Sequence, residues 1–160
     1  MFRLHRTHRL LQPSYHLTIR HKTTKPIAIC KIDHVCLCTR DVKKSISWYE
    51  NVLGLEHFYK DEEHFYPTCK QSPAFMRSGE VRVALYEVEK IISDHKGAHL
   101  AFTLSKSNWE FARLTLPKLL EENKVYETQI VSVDEEDYGI QKGLFFQDPD
   151  NNILEISMWK

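Results

Sequence analysis

Three residues of this 160-residue chain stand where their side chains could do chemistry. His34 falls mid-way along Ile32–Thr39, which alternates and is rich in β-branched or small residues, as a strand is. His99 opens a second such stretch, His99–Leu104. Glu155 interrupts the apolar run Ile153–Met158, on the face opposite Leu154 and Ile156. A carboxylate on a buried strand is costly unless it is paired or binds a metal. Two imidazoles and a carboxylate form a common facial donor set for Fe(II), Mn(II), Zn(II) or Ni(II), and three ligands leave coordination open for water or substrate. Each residue also has an ordinary reading. A strand histidine is more often packed or at the surface. Glu155 would serve equally at a solvent-facing edge.

Other candidates carry less. Cys36 and Cys38 follow His34 on its own face, where small strand cysteines usually pack and only rarely bind zinc. His57, His64 and His95 read as solvated loop residues, with His64 and Tyr66 able to line the mouth of a site. The acidic run Asp134–Asp137 reads as a solvated loop. Its neighbour Tyr138 is the one weak candidate for a lid or catalytic side chain.

Regular elements must position these groups. Asp41 suits an N-cap, Val42, Ile46, Tyr49, Val52 and Leu53 recur at helical spacing, and Gly54 stops the helix. Glu56–Tyr59, Ala74–Arg77 and Val81–Val88 read as strands, with a hairpin turn at Gly79. After Gly97 the order repeats. Asn108 is a cap candidate, and Phe111, Leu114, Leu119 and Leu120 line a helix to about Asn123 that Pro117 should kink or divide. Val125–Val131, Gly143–Gln147 and Ile153–Met158 read as strands, with a turn at Asp148-Pro149-Asp150-Asn151. An offset of 65 lays His34 on His99, Ile46 on Phe111 and Tyr49 on Leu114, which makes an internal duplication plausible.

Composition narrows the class. No apolar run approaches the ~20 residues of a membrane span. Residues 1–29 hold Arg3, Arg6, Arg9, Arg20, Lys22 and Lys25 and no acid, so with zero net charge overall the remainder carries −6. That argues against nucleic acid as a partner of the folded part. The leader reads either as a disordered basic tail or as a mitochondrial address, being Arg-rich, acid-free and amphipathic over Met1–Leu11. Otherwise the chain is expected in the cytoplasm. The spacing of Cys30, Cys36, Cys38 and Cys69 does not suit a secreted disulfide framework.

Three motifs, in order, resemble one family. Asp33-His34-Val35, with Asp41 and Trp48-Tyr49-Glu50-Asn51-Val52-Leu53-Gly54-Leu55, is similar to the opening module of the vicinal-oxygen-chelate superfamily. His99-Leu100-Ala101-Phe102 is similar to the start of its second module, and Phe146–Ile156 to its closing hairpin. The resemblance covers residues 30–160 and implies an α+β fold of two βαβββ modules, about 30–90 and 97–160, whose curved mixed sheet forms a metal-binding cup. It selects His34, His99 and Glu155 as ligands of one divalent ion. It also expects a fourth ligand place near Ala84–Tyr86, where only Tyr86 is polar. The implied activity is metal-dependent chemistry on a small oxygen-rich substrate, of glyoxalase-like lyase or isomerase type. Extradiol dioxygenation, or binding without turnover, are the alternatives. The implied assembly is a homodimer, in which exchange of modules would join His34 of one chain to His99 and Glu155 of the other.

Overall fold

The computed structural model describes residues 29–91 and 97–160; residues 1–28, with most of the basic leader, and His95 lie outside them. Residues 32–160 form one unit. Its elements are β1 (Val35–Thr39), α1 (Val42–Leu53), β2 (Glu56–Phe58), β3 (Ala74–Ser78) and β4 (Val81–Glu87), followed by β5 (Leu100–Thr103), α2 (Lys106–Glu122), β6 (Asp134–Asp137), β7 (Gln141–Gln147) and β8 (Ile153–Trp159). They make two four-stranded mixed sheets, ordered β1-β4-β3-β2 and β5-β8-β7-β6. In each, the first strand runs parallel to the last and the other pairs are antiparallel. The fold is therefore α+β, with two βαβββ modules of matching topology.

Local chemistry sets the first helix as expected. The Asp41 side chain accepts from Lys44 N at 3.1 Å, and Gly54 closes α1 at φ +63°, a conformation that favours glycine. Val42, Ile46, Trp48, Tyr49 and Val52 are buried. Gly79 takes positive φ in the two-residue turn between β3 and β4.

The second module differs from its pattern in four places. Ser105, not Asn108, caps α2, its hydroxyl accepting from Asn108 N. Pro117 does not divide the helix, because Leu116 and Leu120 on either side are both buried and hold the two halves down. Phe111 and Leu114 are 67% and 70% exposed; Trp109, the largest apolar group on α2, sets the buried stripe with Leu116 and Leu120 instead. The offset of 65 thus holds for the histidines but not for the helices. Finally, Val125–Val131 is not a strand, and Asp134–Asp137 is. Val125 N bonds the Gln129 side chain at 2.8 Å, a local bond that competes with a ladder. The acidic run pairs with β7 as an edge strand, where exposed charge is tolerated and discourages further pairing.

One face of each sheet is apolar and packs on a helix. Ala74, Met76, Val83 and Leu85 do so in module one, and Leu144, Phe146, Leu154 and Ile156 in module two. A buried polar joint ties the modules together. In it the Asp148–Asn152 turn meets the end of β1 and the start of α1. Asp150, 1% exposed, accepts from Thr39 Oγ1 at 2.6 Å and Ser45 Oγ at 3.3 Å, and takes Arg40 Nε at 2.6 Å. Tyr49 donates to Asp148 at 2.8 Å, and Asn152 Nδ2 donates to both Asp148 and Cys38 O. The Arg40 guanidinium also lies 4.2 Å from the Tyr126 ring centre. Asn151 sits at φ +65° in this turn, which its short polar side chain tolerates.

Candidate metal centre

Strand alternation gives each sheet a second face, turned away from its helix. In module two that face carries His99, which lies just before β5 rather than in it, with Ala101 on β5 and Glu155 on β8; Ala101 is paired with Glu155 across the strands. Glu155 is 4% exposed, and its Oε2 lies 3.0 Å from His99 Nε2. Its other oxygen accepts from Gln141 Nε2 at 3.1 Å. Gly143 stands between them on β7. A Cβ there would come within 2.9 Å of Glu155 Oε1 and of the Phe145 ring, so glycine leaves the room the carboxylate occupies. The His99 ring meets Phe145 edge-on at 5.6 Å, and its Nδ1 lies 3.3 Å from Gly97 O. With Nδ1 carrying the proton, Nε2 keeps its lone pair for a ligand role.

His34 has the corresponding environment in module one. It lies just before β1 rather than in mid-strand, since ladder pairing begins at Val35. Its ring meets Phe75 edge-on at 5.1 Å, and Nδ1 lies 2.9 Å from Asp33 Oδ2. Again Nε2 is left as the donor, with a carboxylate orienting the ring. Register fixes the rest of the match. Phe75 is paired with Ala84 as Phe145 is with Glu155, and Cys36 is paired with Ala84 as Ala101 is with Glu155. Ala84 therefore holds the module-one counterpart of the Glu155 position. Tyr86, the expected polar candidate, lies two residues further on, opposite Cys38 and 41% exposed.

The structure brings His99 and Glu155 together and leaves His34 apart from them in the single chain. Among the described residues, no three His, Cys, Asp or Glu side chains stand close enough to hold one ion. A groove of about 250 Å³ does run between the modules, lined by Val35, Cys36, Cys38, His99, Leu100 and Asn152. A larger cavity of about 460 Å³ lies on the helix side, against Phe102, Phe111, Leu116 and Ile156, and holds none of the three residues.

The remaining candidates are placed as follows. Cys36 and Cys38 are exposed, and partial desolvation together with the neighbouring Cys38 pushes the Cys36 thiol up. His57 is not a solvated loop residue: it lies on β2, half-buried beside Tyr66, and desolvation pulls its pKa down. His64 is exposed in the loop before β3, and Tyr66 is buried. Tyr138 is 58% exposed at the turn between β6 and β7, where its N–H bonds Gln141 O. The sequence reading missed Gln141 and Gly143. Counting back by twos from Phe145 along β7 would have placed both on the Glu155 face.

The residues present fit a divalent ion. They offer a buried carboxylate, an imidazole 3.0 Å from it and a second imidazole oriented by a carboxylate, all hard or borderline donors. Known proteins agree with this architecture. Residues 31–156 match the model of the Glyoxalase/Bleomycin resistance protein/Dioxygenase superfamily. Metallothiol transferase FosB of Staphylococcus epidermidis is 26% identical over 128 residues, covering 78% of this chain and 81% of that protein. A crystal structure described as a glyoxalase family protein of Bacillus anthracis superposes with a TM-score of 0.63 at 20% identity, covering 85% of this chain and all of that one. A mutant of the fosfomycin resistance protein FosX of Listeria monocytogenes, crystallised with Mn(II) and 1S,2S-dihydroxypropylphosphonic acid, superposes with a TM-score of 0.58 at 16% identity, covering 81% and 90%. A match over most of the chain, on a fold with two βαβββ modules, places this protein in the glyoxalase/bleomycin resistance protein/dioxygenase superfamily.

Proposed function

We propose that the protein is a divalent-metal-dependent enzyme acting on a small oxygen-rich substrate through His34, His99 and Glu155. One observation carries this reading. Glu155 is 4% exposed in an otherwise apolar strand and faces His99 Nε2 at 3.0 Å, in a space kept open by Gly143. A buried carboxylate without a positive partner is costly. The ion, when bound, supplies Lewis-acid stabilisation of negative charge on neighbouring substrate oxygens. Gln141 holds one oxygen of Glu155 and orients the other. Asp33 and the Gly97 carbonyl lie against Nδ1 of the two imidazoles, which would turn Nε2 of each toward the ion when it is bound. The Ala84 position supplies no fourth donor, which leaves coordination for substrate.

His34 stands apart from the other two within one chain, and this supports a homodimer with exchanged modules, where His34 of one chain joins His99 and Glu155 of its partner. In reaction class, glyoxalase-like lyase or isomerase chemistry is one reading. The similarity to metallothiol transferase FosB favours a second, transfer of a thiol to an electrophilic substrate. The acid-free leader supports delivery to mitochondria.

Metal content tests the centre. The purified full chain should hold about one divalent ion by mass spectrometry. The triple change His34→Ala, His99→Ala, Glu155→Ala should reduce it to background. Retention of the ion by that variant would refute the site.

A further inference from the structure

We propose that the substrate carries an aromatic ring, which stacks on a wall of aromatic side chains beside His34 while its oxygens reach the metal. The inference rests on the metal reading above and adds a substrate class to it.

The wall is continuous. Phe75 touches the His34 ring at 5.1 Å. Phe65 meets Phe75 edge-on at 5.3 Å, and Tyr59 meets it at 5.9 Å. Tyr59 and Phe65 stack nearly parallel, at 4.8 Å and 16°. Phe58 lies 3.9 Å from Tyr59. Phe75 is buried, while Phe58, Tyr59 and Phe65 are half-buried, so the cluster keeps part of its ring surface toward solvent. Ring–ring contact of this kind is offset or edge-on, which suits a flat aromatic guest.

Two further observations point the same way. Tyr59 has φ +63°, a strained conformation for a large side chain, and stacking on Phe65 holds its ring in the wall. The fold does not demand the wall either. Phe58 on the outer strand of module one is paired with Phe75, and the residue paired with Phe145 in module two is Asp134. One module has aromatic groups where the other has acids.

The charges on this face do not suit an anionic substrate group. Arg82 bonds Asp33 at 3.0 Å, and Arg77 lies 3.9 Å from Glu56 while its guanidinium covers Phe58 at 4.0 Å. Both arginines already face a carboxylate. Cys36 and Ala84, paired with each other beside His34, are small residues on this face.

Bidentate oxygen chelators of the metal test the inference. Benzohydroxamate and cyclohexanehydroxamate have rings of similar size, and only the first is aromatic. Their Kd values are measured calorimetrically on the Mn(II)-loaded full chain. The wall belongs to the chain that supplies His34, so the readout holds whichever chain supplies His99 and Glu155. Benzohydroxamate should bind about threefold to tenfold tighter than its saturated analogue, and the preference should disappear in Phe65→Leu. If Phe65→Leu does not fold, Tyr59→Gly serves instead, because glycine accepts the positive φ at that position. Equal affinities in the wild type, or a preference unchanged by these variants, would overturn the aromatic substrate and leave the metal centre standing. A chain that binds no Mn(II) would remove both. Tighter binding of phosphonoformate than of benzohydroxamate would overturn the proposal in favour of an anionic substrate.

Discussion

At matching positions the two modules carry the same histidine–phenylalanine pair and a different third residue. His34 with Phe75 and His99 with Phe145 have nearly equal geometry, at 5.1 and 5.6 Å and at 74° and 73°. Opposite each phenylalanine, module one has Ala84 and module two has Glu155. Duplicated topology thus keeps the ring that supports each imidazole, while the carboxylate, its Gln141 partner and its Gly143 space are found in the second half alone. Module two holds a buried carboxylate, and module one sets aromatic rings and two arginine–carboxylate pairs on the matching face.

The largest test of this comparison concerns whether both halves serve one ion. His34→Ala and His99→Ala should each weaken metal binding by more than the roughly 100-fold that loss of an outer-shell partner costs, measured by competition with a chelator. If His34→Ala binds metal like the wild type, the site belongs to module two alone. Mixing His34→Ala chains with Glu155→Ala chains then asks which chain supplies which ligand. With exchanged modules, the mixed dimer has one complete site and one site lacking both ligands, so metal binding returns in part. Without exchange every site keeps one defect and none returns.

The joint between modules should show the next effect. Asp150→Ala removes the buried carboxylate that accepts from Thr39, Ser45 and Arg40 Nε, and should lower unfolding free energy by about 3 kcal/mol in denaturant titration. A loss below 1 kcal/mol would mean that the modules are held by their apolar contacts alone. Gly143→Ala should act on the site more than on the fold, lowering metal affinity about tenfold as the new methyl displaces Glu155. Unchanged affinity would show that the carboxylate does not need its present position.

The smallest effect is on pH dependence. Burial raises the pKa of Asp148 above its ordinary value, even against hydrogen bonds from Asn152 and Tyr49. A raised carboxyl pKa in the folded state means that the fold takes up a proton more readily than the unfolded chain. The protonated residue therefore adds stability fully below its unfolded pKa of about 3.9, and this is lost as pH rises through the folded value. Relative to Asp148→Asn, the wild type should gain thermal stability as pH falls from neutrality toward 4. A parallel pair of Tm curves would show that Asp148 is ionised alike in both states.

Much of this was legible in the sequence where local chemistry decides the outcome. Asp41, Gly54 and Gly79 fix ends and turns by their own backbone and side-chain preferences, and α1 and the β3–β4 hairpin follow. Glu155 stood out because a charge in an apolar strand asks for a partner. The misreadings arose where tertiary packing outweighs local pattern. Phe111 and Leu114 have helical apolar spacing, yet Trp109 determines which side of α2 faces the sheet. Asp134–Asp137 has poor strand composition and becomes a strand because β7 offers it a ladder. The separation of His34 from His99 in one chain depends on how the modules are joined, and no single segment carries that information.

The Asp148–Asn152 joint has a consequence for how the molecule is made. Its bonds link residues far apart along the chain: Thr39 to Asp150 across 111 positions, Tyr49 to Asp148 across 99 and Cys38 to Asn152 across 114. The ladders of each module close over much shorter spans and can form first, since bringing distant segments together is entropically slow. Each bond of the joint closes a longer stretch of chain than the ladder pairings within a module, so the joint forms against a larger loop entropy.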